Sequence, residues 1–446
     1  MSLHFERAYL LVDIDIDATW HVGRWRTAGE SATFSPLLTD AHGRPWIPGS
    51  SIAGGLRRHL DGQPGLPALD LLMGPTEGEL TASALWVLGS VIGDGAQHAP
   101  TTVTAIDRWH QSARPGSLRS IDIVQPGTTL QVHLRLDALR GGGDLPIVAG
   151  DLARALASWT PVLGSGRTVG RGRAHVTRVR WTHLLGNAGL GRLLAVRHAA
   201  DGPADLLPAL LDNQSAEVPG LRAGCTARLR AVSAAVARVD TEDAVLVAVL
   251  TEQGDGRLGV TSADPTVRTG PGKNVSVPGS TWKGLLRSRF EYILRSRGEQ
   301  SCDPGTPCPQ AECLACQTFG STHARGRIGA DDTLPRGGRG DVQSHVALDR
   351  ISGGARDHHL WIEPVRRGGE HTLILRSLAP LAPEVREILL LVLRDLDEGL
   401  IGLGPRTATG LGTVQVTSVW EHAPHGRSGD HPPCAWTPLD MMGSRT

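Results

Sequence analysis

A chain of 446 residues is long enough for two or three domains with cores of their own, and 40% apolar residues suits a globular protein. Lys+Arg and Asp+Glu balance at 45 each, so bulk charge gives no electrostatic footprint of a nucleic-acid binder. No apolar run reaches the roughly 18 residues of a membrane span, and the acidic, alternating start MSLHFERAYLLVDIDID is unlike a secretory signal. The expected compartment is the cytoplasm, with no membrane partner. Apart from Lys273 and Lys283 every cationic side chain other than histidine is arginine. GC-rich coding explains this, as does the better fit of guanidinium to phosphate and bases; composition does not choose between them.

In chain order, the alternation of residues 8–16 predicts a strand. Residues 44–58, RPWIPGSSIAGGLRR, predict a turn at Pro48-Gly49 entering a helix, with Ser50 or Ser51 as its cap and Arg57 and Arg58 on its following turns. A helix start approached by glycine is also a place for a phosphate. Ala105-Ile106-Asp107-Arg108, followed by Leu118 and an alternating run, predicts a long hairpin. A helix over about 147–158 leads to the loop LGSGRTVGRGRAHV at 163–176, where glycine lets the backbone, with Arg167 and Arg171, approach a phosphodiester. Residues 182–225 read as a partly ordered connector.

The series then starts again. A strand at 244–251 precedes NVSVPGSTWKGLLRS at 274–288, where Pro278-Gly279-Ser280-Thr281 repeats Pro48-Gly49-Ser50-Ser51 and Lys283, Arg287 and Arg289 follow. Ala347-Leu348-Asp349-Arg350 repeats the hairpin signature, with Leu360 answering Leu118. A helix over 383–397 leads to LGPRTATGLGTVQV at 403–416, with Arg406 and with Gly410 and Gly412 answering Gly170 and Gly172. A smaller match sets Leu88-Gly89-Ser90 against a strand at Phe319-Gly320-Ser321. Three paired signatures in one order point to duplication. The expected plan is α+β: two tandem antiparallel sheets backed by helices, ferredoxin-like (RRM-like), with domains at 1–181 and 226–420 and a tail at 421–446.

Of the six cysteines, Cys225 and Cys434 stand apart while Cys302, Cys308, Cys313 and Cys316 cluster at about 300–318. Four thiolates at such spacing suit tetrahedral zinc and close its coordination shell, so the expected Zn2+ is structural. Redox chemistry or unligated thiols are the alternatives.

The PGSSIAGGLR and PGSTWKGLLR elements, the LDRISGGARDHHLWIEPV hairpin and the GLGPRTATGLG loop together resemble the repeat-associated mysterious protein (RAMP) superfamily, specifically the backbone subunits of type III CRISPR effector complexes. A fused pair resembles the double backbone proteins of type III-D-like systems. The resemblance implies a protein stacked along a guide RNA (crRNA) paired with a complementary target RNA, beside other backbone and capping subunits. It implies that 107–124 and 349–365 are thumbs inserted between nucleotides. Ser50, Ser51, Arg57, Arg58, Arg108, Arg167, Arg171, Ser280, Thr281, Lys283, Arg287, Arg350 and Arg406 are then RNA contacts; solvated helix faces are the plainer reading of the helical arginines.

Such subunits often cleave target RNA with an aspartate before the Pro-Gly-Ser turn. Asp264 of Ser262-Ala263-Asp264-Pro265-Thr266-Val267-Arg268 matches, with proline displaced by one, and would hold Mg2+ or a similar ion or align the ribose 2′-hydroxyl. An aspartate before proline is also a common turn residue. The first copy has no matching aspartate: Glu30 is the nearest carboxylate and Asp40 and Asp255 are lesser candidates, so that copy is expected to bind without cutting. His323 and the hairpin pair His358-His359 read as exposed loop histidines, and Asp331-Asp332 and Asp395-Leu396-Asp397-Glu398 as surface charge. A target-cleaving endoribonuclease and a non-catalytic RNA-binding scaffold are the two main readings. A zinc-bearing protein-interaction module is the third.

Overall fold

Apolar residues at every second position of the first strand turn one row inward, and this row, Ala8, Leu10, Val12, Ile14 and Ile16, is buried. The computed structural model describes residues 5–24, 31, 33–78, 81–108, 110, 112–139, 143–199, 203–211, 215–220, 244–252, 257–259, 269–270, 274–302, 308, 312–379, 381–404, 407, 410–422 and 436–439. The chain divides into two compact units. The first comprises Met1–Thr104, Gly116–Arg167 and Arg171–Ala223; the second comprises Ala105–Pro115, Thr168–Gly170 and Gly224–Thr446.

The first unit runs β1 (Glu6–Ile16), β2 (Phe34–Ser35), α1 (Gly49–Leu60), α2 (Leu69–Met73), β3 (Leu85–Ile92), β4 (His98–Val103), β5 (Arg119–Val124), β6 (Thr128–Asp137), α3 (Leu145–Ala157), β7 (Ala174–Leu185), α4 (Gly186–Ala199), α5 (Pro203–Leu211) and β8 (Ala216–Pro219). Its main sheet has the order β3-β6-β1-β7-β8, antiparallel throughout, while β2, β5 and β4 form a small separate sheet. Ile52, Leu56 and Leu60 of α1 and Val148, Leu152 and Leu156 of α3 fall on the i, i+4, i+8 stripe that covers the inner sheet face. Within the stretch read as a connector lie α4, α5 and β8. Leu207, Leu210 and Leu211 of α5 pack on Tyr9 and Leu11 on the outer face, and β8 extends the sheet.

The second unit runs β9 (Ala244–Glu252), β10 (Arg257–Gly259), β11 (Thr269–Gly270), β12 (Asn274–Val275), α6 (Gly279–Ser296), α7 (Leu314–Phe319), β13 (Ile328–Ala330), β14 (Arg339–Leu348), β15 (Ala355–Arg367), β16 (Glu370–Ser377), α8 (Pro383–Asp397), β17 (Val414–His422) and β18 (Trp436–Leu439). Its five-stranded sheet has the order β13-β16-β9-β17-β18. In each unit the four main strands therefore lie second-third-first-fourth, with a helix after the first and the third, an order compatible with a ferredoxin-like plan. Residues 436–439, in the stretch read as a tail, supply the fifth strand.

Two sequence readings need correction. Phe319-Gly320-Ser321 is not a strand: Phe319 ends α7 and Gly320 caps it. The strand answering β3 is β13. Nor does a serine or threonine cap α1 or α6, whose N-caps are Pro48 and Pro278 with no side-chain bond. The Pro-Gly pair instead lets the helix start against a strand. A Cβ on Gly49 would sit 2.9 Å from the Val87 carbonyl oxygen of β3, and one on Gly279 would collide with the Ala330 carbonyl of β13 and lie 2.6 Å from that of Val169. Gly279→Ala is therefore expected to destabilise the second unit by about 1–3 kcal/mol. Gly284→Ala, with nothing near its Cβ, should be neutral or stabilise by about 0.5–1 kcal/mol. Urea unfolding of the two variants checks the contrast.

Candidate functional site

The first turn of α6 does not offer an open phosphate site. The Gly279 N–H donates to Asp332 Oδ1 at 2.6 Å, so a carboxylate already occupies the positive end of this helix. Asp331, its neighbour, is buried and takes a forked set of bonds from Arg376 (Nε to Oδ2 2.9 Å, Nη2 to Oδ2 2.8 Å). Asp395 accepts from Arg289 at 2.6 Å and Asp397 from the Val416 N–H at 2.9 Å. The aspartates read as surface charge hold the fold together instead.

The cationic candidates separate in the same way. Arg57 donates to Asp70 (2.7 Å) and to the Gly74 carbonyl (2.6 Å), closing α1 onto α2. Arg287 directs Nε to Glu291 (2.7 Å), Nη1 to the Gly320 carbonyl (2.6 Å) and Nη2 to Cys316 Sγ (3.4 Å). Lys283 donates to Thr168 Oγ1 at 2.8 Å. Burial, and then the charge of Arg287, lower its pKa to about 8. Arg167 Nε reaches the Gly164 carbonyl at 3.3 Å, and Arg171 is half-buried. Ser50, Arg58, Ser280 and Arg350 are exposed, and Ser51 and Thr281 half-buried.

The two hairpin signatures each hold a turn closed by an aspartate. Asp107 Oδ1 accepts the His110 N–H (2.9 Å), and Asp349 Oδ1 accepts those of Ile351 (3.0 Å) and Ser352 (2.9 Å), so each aspartate ties a tip turn. The Ser352 and Ile351 bonds hold the Asp349 carboxyl below its ordinary range. β4 pairs with β5, and β14 with β15. His358 takes φ 60°, where the β14–β15 register slips between Val346 and Leu348, and His359 Nδ1 lies 2.7 Å from the Asp357 carbonyl. Around the tips the same apolar positions face solvent: Ile106 is 56% and Leu118 62% exposed, Leu348 63%, Leu360 70% and Ile351 97%. In the second unit Arg108 forms a close ion pair (2.9 Å), out of line for a hydrogen bond, with the fully buried Glu291.

The two glycine-rich loops share a local geometry. Gly172 and Gly412 both take positive φ (76° and 81°), and a Cβ on either would overlap the carbonyl of Leu163 or Leu403. Leu163 N–H donates to the Gly172 carbonyl at 2.7 Å and Leu403 N–H to that of Gly412 at 2.8 Å. These glycines close a loop on itself, a role that phosphate approach does not require. Of the candidate carboxylates, Asp264, Glu30 and Asp255 lie outside the described residues, as does Arg406. Asp40 closes a turn by accepting from the N–H groups of His42 (2.8 Å) and Arg44 (2.9 Å). Desolvation opposes its ionisation, but the Arg44 and His42 bonds outweigh it and lower its pKa.

Cys302, Cys308, Cys313 and Cys316 converge, their sulfurs all within 4.8 Å of one another. Cys302 Sγ lies 3.3 Å from Cys313 Sγ and 3.4 Å from Cys316 Sγ. A tetrahedron with metal–sulfur bonds of about 2.3 Å has edges of about 3.8 Å, so the four thiols fit zinc. Cys313 is the N-cap of α7, and its Sγ accepts the Cys316 N–H at 3.4 Å. Arg287 on Cys316 offsets part of the negative charge that four thiolates around a divalent cation leave. Burial pushes the Cys302 and Cys316 thiols up, while the Cys313 N–H brings Cys308 down to about 7. Phe319 at the end of α7 meets Phe290 of α6 edge-on at 5.3 Å, which joins this site to the core.

Residues 254–415 match the family model of the RAMP superfamily. The matched span holds α6, the four cysteines, the β14–β15 hairpin and α8, all in the second unit. RAMP proteins typically act in CRISPR complexes with RNA and other subunits. No curated protein matches the chain. Among the described residues no helix is long and apolar enough to cross a membrane.

Proposed function

We propose that the chain is a crRNA-binding backbone subunit of a type III CRISPR RNA-targeting complex, made of two fused RAMP domains in the manner of type III-D-like systems. The carrying observation is the pair of equivalent hairpins, each with an aspartate-tied tip flanked by exposed aliphatic side chains at matching positions. Single exposed leucines are ordinary on a protein surface. The recurrence of Ile106 with Leu118 as Leu348 with Leu360 is not explained by chance, and aliphatic wedges are a known way to separate stacked bases. The RAMP match over residues 254–415 supports the same reading. The hairpins are then the thumbs, and Arg58, Arg350, Ser50 and Ser280 are the exposed polar groups for phosphate. Asp264 is the cleaving residue, with Mg2+ or a similar ion, and the first domain binds without cutting.

The test is binding and cleavage of guide-complementary RNA by the reconstituted complex in magnesium. Asp264→Ala is expected to slow one cut on the order of 10²-fold or more with binding retained. Leu348→Ser/Leu360→Ser is expected to weaken target binding about tenfold. An unchanged cut pattern with Asp264→Ala makes the chain a scaffold. Unchanged binding in the hairpin variant sinks the thumb assignment.

A further inference from the structure

One continuous set of contacts runs from the cysteine cluster to the tip of the first hairpin. Cys316 Sγ receives Arg287 Nη2 at 3.4 Å, and the same guanidinium is pinned to the Gly320 carbonyl at 2.6 Å, just past the metal-ligating helix. Arg287 Nε then holds Glu291 Oε1 at 2.7 Å, and Glu291 Oε2 faces Arg108 Nε at 2.9 Å. Glu291 is wholly buried, between Phe290 and Ile293 on α6, and carries no exposed oxygen with which water can compete. A buried carboxylate needs its cations, so both arginines are under a strong demand to stay. Arg108 sits in the turn closed by Asp107 N–H to the Ser112 carbonyl (2.8 Å) and Arg114 N–H to that of Ala105 (2.8 Å). The tip's order is thus tied to a residue whose own position depends on the loop carrying the cysteines.

We infer that the four-cysteine site governs the seating of the 105–115 tip, with Arg287 and Glu291 as positioning residues that link the two. Metal holds α7 and Gly320; these hold Arg287; Arg287 orients Glu291; and Glu291 seats Arg108. The equivalent tip at 349–354 has no such tie among the described contacts of Arg350 and serves as an internal control.

Amide hydrogen exchange on the full chain, zinc-loaded and without RNA, tests this independently of the proposed RNA function. Arg287→Met should keep zinc, measured by metal content, yet accelerate exchange across 107–114 about tenfold or more while leaving 349–354 unchanged. Arg108→Gln should do the same from the other end, and is the variant to rely on if Arg287→Met fails to fold. Removing zinc with a chelator should accelerate 107–114 in the intact chain and add nothing further in Arg287→Met, the signature of one shared path. The inference fails if zinc removal leaves 107–114 unchanged. It also fails if zinc removal accelerates 107–114 no more than β14–β16 and Arg287→Met leaves 107–114 unchanged, because the tip would then follow the fold of the whole unit.

Discussion

Cys316→Ser is expected to abolish zinc binding and lower the melting transition of the second unit by more than about 8 °C, leaving that of the first unit in place. Cys313 and Cys316 are buried in the same cluster as Leu286, Phe290, Leu294 and Phe319, so the site is a wall of the core. Structural zinc contributes roughly 10–16 kcal/mol in small zinc-binding peptides, comparable to the whole stability of about 5–15 kcal/mol of an ordinary domain. Even a net loss of about 4 kcal/mol lowers the transition of a domain of 150–250 residues by about 8–16 °C. Serine keeps the size of the side chain but is a poor zinc ligand, which separates loss of metal from loss of volume. Metal content and calorimetry on the full chain decide the matter. A purified protein free of zinc, or a variant that melts like the intact chain, would reduce the cluster to four packed thiols.

Arg376→Ala is expected to be strongly destabilising. Arg376 and Asp331 are each about 4% exposed and linked through two nitrogens of the guanidinium. Truncating one partner of a buried ion pair costs about 3–5 kcal/mol. Arg394 and Glu398 form an equally short pair at the end of α8, at 2.8 Å, but in solvent, where Arg394→Ala should cost far less. Urea unfolding of the two variants measures the difference directly. Equal small losses would mean that water reaches Asp331 in the folded protein.

The recurring Pro-Gly and glycine-loop positions were legible because they rest on backbone geometry. Glycine at 49 and 279, and again at 172 and 412, is demanded by close approach of a carbonyl, and such positions leave a mark in the sequence that needs no partner to interpret. The cysteine site was legible for a similar reason, since its four ligands are close along the chain. The roles of the charged residues were not. Asp331, Asp332 and Asp395 look like surface acids because their partners, Arg376, Gly279 and Arg289, lie far off in sequence and only the fold brings them near. Glu291 left one local sign, its four-residue spacing from Arg287, but Arg108 is remote and nothing in the chain announces the pair. Serine and threonine after Pro-Gly suggested caps, whereas proline itself takes the cap position and the hydroxyls fall within the first turn.

The Pro-Gly start and the glycine loop answer to architecture before they answer to any ligand. A strand carbonyl lies where a side chain on Gly49 or Gly279 would have to go, and a loop carbonyl where one on Gly172 or Gly412 would. Drift at these sites is therefore barred whatever the protein binds. A descendant that lost its partner would still wear both motifs, so their presence dates the fold and says little about whether the work once done on it continues.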